Sequence, residues 1–279
     1  MQSSPVPTPS IRERFLQKFP WKPPLIVLSV ALVFAWMYFA PAGLLGKADA
    51  VGYAVCHQID SRSFHIGDFR FSVCARCTGQ YLGAMLGLAY LAILRPRRIG
   101  RPPWWIIGVL LLGAASYAID GINSFLHLLP FTQRFWLYEP NNTLRLLTGT
   151  LVGLGIAVML YPAFNQTTWD RYRRSAVLSG WRDFGGLLLL AALLDALVLN
   201  GNPVILYPLS LVSAAGILIV LTIVYTLVWI MIFQRENRYS RAAQLVFPFL
   251  AGFTTALVQI LLLDALRYAF TGTWGGFSF

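Results

Sequence analysis

The 279-residue chain is 57% hydrophobic, 14% aromatic and only 12% charged, about half the charge of a soluble globular domain, which excludes an ordinary water-soluble fold. Its 23 Gly and 16 Pro are scattered through apolar stretches without a long low-complexity run, which excludes collagen-like and disordered classes. A net charge of +11 suits nucleic acid only where basic residues form one patch interleaved with aromatics; here they fall in separate loops, so the expected class is an all-α polytopic bundle in a lipid bilayer, with no nucleic-acid partner.

In chain order, residues 1–23 read as a cytoplasmic tail: Pro5, Pro7 and Pro9 mark a disordered start, and Ile11–Trp21 reads as a short basic amphipathic segment along the inner interface. Apolar runs near bilayer length, about 20 residues, follow at 24–45, 74–94, 104–121, 143–161, 184–200, 204–232 and 244–270. Seven spans are therefore expected, with residues 24–161 as a core membrane unit and 162–279 as C-terminal membrane helices. The run at 184–200 is short, and Asn200-Gly201-Asn202-Pro203 turns straight into the next one; the alternative is a re-entrant hairpin and five full spans. The Ala40-Pro41-Ala42 triplet loosely fits signal-peptide cleavage, but the long polar leader and the regular charge bias of the later loops favour a retained first anchor.

Fifteen of the 22 Lys and Arg residues lie in the tail and in the loops at 95–103, 162–183 and 234–243. Basic residues in short loops resist translocation. The N-terminus is therefore expected inside and the C-terminus outside, in the cell membrane, and the intervening loops on the extracytoplasmic side.

All three cysteines and all three histidines fall on that outer side, five of the six within 22 residues. The segment at 46–77 is expected to form an outer hairpin that returns Cys56-His57 to Cys74-Ala75-Arg76-Cys77 at the mouth of the second span. Unpaired N–H groups and the dipole at a helix start favour thiolates, which both metal binding and redox chemistry need. Cys56, Cys74 and Cys77 with His57 make a Cys₃His set, for which zinc is the commonest occupant, other transition metals being possible; His65 competes as fourth ligand. A disulfide in an oxidising compartment and free buried thiols stay open as alternatives. His127 reads as an interfacial histidine.

Below the cysteines lies a polar layer. Asp120 ends span 3, Arg145 begins span 4, Asp195 lies in span 5, and Asp264 with Arg267 lies in span 7. Ionisable groups at membrane depth are costly unless paired or wetted, so each is a functional candidate. Asp264 and Arg267, at i and i+3, suit a local ion pair; Asp120 and Asp195 lack a partner on their own helices, which leaves Arg145, Arg76 or the metal shell to compensate them, and Arg145, across the contact of spans 3 and 4, is the pairing tested for Asp120. Gly79, Gly83 and Gly87 in span 2 match Gly149, Gly153 and Ala157 in span 4, a small-residue seam for close packing.

The Cys56-His57-Gln58, Arg62-Ser63-Phe64 and Cys74-Ala75-Arg76-Cys77-Thr78-Gly79 elements, followed by Asp120-Gly121, Asn142, Arg145 and Thr148-Gly149, resemble a family of predicted prokaryotic membrane proteins of unknown function. The resemblance covers about 50–155 and implies that these residues form one unit. It brings no activity. Three functions remain in contention: a metalloprotein whose Cys/His site, with Asp120, Asp195 and Arg145 beneath it, handles a lipid or other amphiphile through a metal-activated water; a thiol–disulfide relay to a membrane quinone; and an accessory subunit whose metal knot staples an outer loop inside a larger membrane complex.

Overall fold

A computed structural model describes residues 21–128 and 136–277. The tail and most of the interfacial segment, together with Arg134, lie outside the described residues. The architecture is an all-α bundle: α1 (Lys22–Phe39), α2 (Gly43–Val55), α3 (Ala75–Leu94), α4 (Trp104–Leu126), α5 (Asn142–Thr168), α6 (Trp181–Leu199), α7 (Pro203–Ile232) and α8 (Val246–Thr271). Among the described residues, six segments are long and apolar enough to cross a membrane, namely α1, α3, α4, α5, α7 and Ala242–Thr271. Arg182, Asp183 and Asp195 keep α6 out of that class by charge. It nevertheless runs the length of the bundle, since Phe184 packs with Tyr161 and Val177 at one end and Val198 packs with Ile66, Phe71 and Leu206 at the other. The fifth expected span, at 184–200, is therefore not among the six, although its helix reaches from one packed end of the bundle to the other.

Two boundaries move for local reasons. The first span stops at Phe39 because Ala40 is extended (ψ 150°), the conformation Pro41 imposes on its predecessor. The segment assigned to an outer hairpin from residue 46 begins instead as α2, with Ala48, Ala50, Val51, Gly52 and Tyr53 buried. The hairpin proper is β1 (Ser63–Ile66) against β2 (Phe69–Cys74), in the register Ser63 to Cys74, His65 to Arg70 and Ile66 to Phe69. Gly67 at φ 60° opens its two-residue turn, the place where a hairpin of this length favours glycine.

The seam between α3 and α5 sets the core. A Cβ added at Gly79 would stand 2.2 Å from the Leu146 carbonyl oxygen, one at Gly149 would stand 2.2 Å from that of Arg76, and one at Gly153 would stand 2.2 Å from that of Gln80. Backbone therefore meets backbone, which only small residues allow. At the far end β3 (Arg98–Gly100) pairs in parallel with β4 (Arg173–Ala176), and Trp169 bridges Tyr239. The Asp170 N–H donates to the Tyr239 carbonyl at 3.0 Å. Three of the basic stretches are in this way tied together at the end of the bundle opposite the cysteines.

Candidate metal centre and arginine cluster

Two helix boundaries position the cysteines. Cys56 follows the last residue of α2 and Cys74 caps α3, both in extended conformation, while Cys77 lies in the first turn of α3. The hairpin between them brings all three sulfurs within 4.8 Å of one another. All three are free thiols, and Cys56 and Cys74 are buried. The Cys56 Sγ accepts the backbone N–H groups of Cys74 (3.2 Å) and Gln58 (3.4 Å). As thiols they do not ionise alike: hydrogen bonds from Cys56 and Cys77, with His57 beside it, hold Cys74 well below the usual thiol range. The hydrogen bond shared with Cys74 leads the effects that push Cys56 up to about 12.

The loop carrying His57 is fixed from four directions. Gln58, buried and at φ 52°, donates through Nε2 to the Ser72 carbonyl at 2.8 Å and to the Asp49 carbonyl and carboxylate, each at 3.0 Å. Arg70 donates to the Gln58 carbonyl and to Asp49 at 2.9 Å. Arg267 donates to the carbonyls of Tyr53 (2.6 Å), Cys56 and His57 (3.2 Å) and lies over the Tyr53 ring. The Phe277 N–H, beyond α8, closes the loop with a 3.1 Å bond to the His57 carbonyl. The Asp264–Arg267 pair suggested by their spacing does not form, because Arg267 is drawn to these carbonyls and both Asp264 oxygens have no hydrogen-bond partner among the described residues.

His57 is half-buried, and its Nδ1 accepts the Ile59 N–H at 3.0 Å. In the neutral ring that bond puts the proton on Nε2. His65 points elsewhere, to Asp60 at 3.0 Å on the exposed side of the hairpin. His127 stacks edge-on against Trp136, 4.9 Å between centroids.

The polar layer beside the cysteines is organised around arginines. Asp120, 1% exposed, accepts from Arg76 through Nη2 and, at 3.2 Å, Nε, and from the Tyr138 hydroxyl at 3.0 Å. Burial and this carboxylate raise Tyr138 to about 12, so it stays a donor. Arg145 is not the neutraliser of Asp120. Its Nη1 donates to Asn142 at 2.8 Å and its Nη2 to the Ser124 hydroxyl at 3.4 Å. Arg76 reaches the same hydroxyl at 3.2 Å, and Arg62 donates to the Ser124 carbonyl at 2.7 Å. Three guanidiniums thus converge on one residue, with Asp120 the one carboxylate bonded to them among the described residues. Burial and the charge of Arg76 pull Arg62 below its usual value, with Cys74 and Asp120 acting in the opposite sense. Asp195, by contrast, accepts from Thr150 at 2.7 Å and shares no partner with Asp120. Ser124, Tyr138 and Thr150 were missed in the sequence, where nothing distinguishes them from other polar residues in spans and loops.

The match to a family of predicted membrane proteins covers residues 56–159, from Cys56 into α5. An uncharacterized protein of Methanocaldococcus jannaschii is 29% identical over 126 residues, which cover 44% of this chain and 72% of that protein. Another, from Methanothermobacter thermautotrophicus, is 37% identical over 105 residues, covering 38% of this chain and 83% of its own length. No solved structure matches. The cysteines, His57, Arg62, Arg76, Asp120 and Arg145 all fall inside the shared region, and the chain belongs to the DUF2085 family of predicted membrane proteins.

Proposed function

We propose that this membrane protein is a metalloprotein whose Cys56, Cys74 and Cys77 take zinc on the extracytoplasmic side, and that Arg62, Arg76 and Arg145 beside them receive the anionic part of a lipid or other amphiphile. The observation that carries the reading is three free thiols from two separated segments within 4.8 Å of one another. Zinc with Zn–S about 2.3 Å sets tetrahedral sulfurs about 3.8 Å apart, a spacing that falls inside the 4.8 Å within which these sulfurs lie. Two N–H donors on the Cys56 sulfur are the surroundings a ligating thiolate needs.

The fourth position decides what the centre does. With Nδ1 already accepting from Ile59, His57 becomes a ligand only by giving up that bond; the set then closes as Cys₃His and staples α2 to α3. Left as it stands, His57 lies beside Cys74 but outside the three-sulfur group, and the fourth position belongs to water or substrate, the condition for a catalytic centre. Asp120 and Asp195, each held by other side chains, are positioning groups here and leave the chemistry to the metal. A thiol relay fits less well, since the burial of Cys56 and Cys74 keeps them from a partner's disulfide.

Elemental analysis of the purified full chain tests the reading. One zinc per chain, lost in Cys74→Ser and kept in His65→Ala, is expected; wild-type protein free of stoichiometric metal refutes it. Cobalt substitution then reads the fourth ligand, since the spectrum changes in His57→Ala only if the ring is bound.

A further inference from the structure

Between α1 and α8, close to the end of the bundle that carries the cysteines, a cavity of about 640 Å³ is lined by Phe39, Asp264, Tyr268 and Trp274 among others. Asp264 is 3% exposed and both its carboxylate oxygens lack a hydrogen-bond partner among the described residues. Arg267, the nearest cation in sequence, is turned to the carbonyls of the His57 loop and stacked between Tyr53 and Phe277, so Asp264 contributes to the cavity wall with its carboxylate buried just behind the surface and without an ion pair among the described residues. A carboxylate at membrane depth needs a counter-charge or a proton. The rest of the lining narrows the choice: three aromatic rings beside one carboxylate are the surroundings in which an ammonium group is bound, by charge and through ring faces. Phe39 is 68% and Tyr268 45% exposed, so the cavity opens on the flank of the bundle, where bilayer components enter. Asp264 lies seven residues before Thr271 at the end of α8, about 10 Å along the axis, a depth suited to the head of an amphiphile whose chain stays in the hydrocarbon.

We propose that this cavity binds the cationic ammonium head of an amphiphile taken from the bilayer. The proposal is independent of the metal centre, whose ligands lie on other elements. The probe is dodecyltrimethylammonium added to the full chain in dodecyl maltoside, with adducts counted by native mass spectrometry. One saturable adduct per chain is expected, at least tenfold weaker in Asp264→Asn and weaker again in Trp274→Ala. Asp264→Asn removes an unpaired buried charge at constant shape, so its melting temperature should equal or exceed that of wild type. Tetramethylammonium, which has the head without the chain, should bind at least tenfold more weakly; equal affinity would overturn the bilayer source. No adduct, or an adduct of the same strength in wild type, Asp264→Asn and Trp274→Ala, would overturn the site. Should Asp264→Asn fail to fold, Trp274→Ala alone decides, and unchanged affinity there counts against the proposal.

Discussion

Arg76→Ala is the substitution whose effect follows most directly from the structure. Asp120 is 1% exposed and takes two N–H donors from Arg76 and one hydroxyl from Tyr138. Removing the guanidinium leaves a carboxylate with Tyr138 as its remaining donor in a site closed to water, at a cost of about 3–5 kcal/mol for a buried pair broken on one side. At about 2–4 °C per kcal/mol, the melting temperature in detergent should fall by roughly 6–20 °C. Adding Asp120→Asn removes the orphaned charge and should recover most of that loss, because the amide still accepts from Tyr138. Arg145→Ala leaves the carboxylate's partners in place and relieves repulsion among three guanidiniums, so it should fall much less. Thermal melts of the four proteins provide the comparison. Equal melting temperatures for Arg76→Ala and the double variant, or a larger loss in Arg145→Ala, would refute the pairing.

Three further outcomes are expected. In the α3–α5 seam, Gly149→Ala drives a methyl against the Arg76 backbone and should cost about 1–3 kcal/mol, whereas Gly155→Ala, which meets nothing within 4 Å on the same helix, should be neutral or gain up to about 1 kcal/mol; melts separate the two. Gln58→Ala strips the bonds that hold the loop to Asp49 and Ser72 and should cost about 2–3 kcal/mol, and it should lower metal content at constant protein if the loop sets the thiol geometry. Burial, opposed by Arg70, raises Asp49 from 3.8 to about 6; its contribution to stability is therefore full below pH 4 and lost as pH rises through 6. The melting-temperature difference between wild type and Asp49→Asn should accordingly shift in favour of wild type as pH falls from 7 to 4.5, and a flat difference would contradict the assignment.

The sequence was most legible where spacing alone decides geometry. Bilayer-length apolar runs located the helices, and the four-residue glycine interval identified the α3–α5 contact, because close backbone approach demands small side chains whatever surrounds them. The three-residue spacing of Cys74 and Cys77 at a helix start, with Cys56 a hairpin away, likewise announced a cluster. Pairing across helices was less legible. Arg145 and Arg76 both start spans near Asp120, and choosing between them depends on helix rotation and on Asn142 and Ser124 drawing Arg145 away. Arg267 was misjudged for a related reason: i,i+3 proximity to Asp264 is a property of one helix, while the unpaired carbonyls that capture it belong to a loop 210 residues earlier. Helix α2 falls across the boundary between the first apolar run and the segment expected as an outer hairpin, and its 13 residues are too few to stand out as a bilayer-length run.

The bonds that Arg267 and Phe277 make to the cysteine loop carry a consequence for how the protein is made. Cys56 and Arg267 are separated by 211 positions, so at about 5–20 residues per second a ribosome takes roughly 10–40 s to reach the arginine after the cysteine has emerged. Throughout that interval the loop's carbonyls lack these donors, although the residues of α2, the hairpin and α3 have all been made. The loop gains these anchors only once Arg267 and Phe277 have been made, and a chain released before Arg267 would hold all three of these cysteines and still have an unfinished loop.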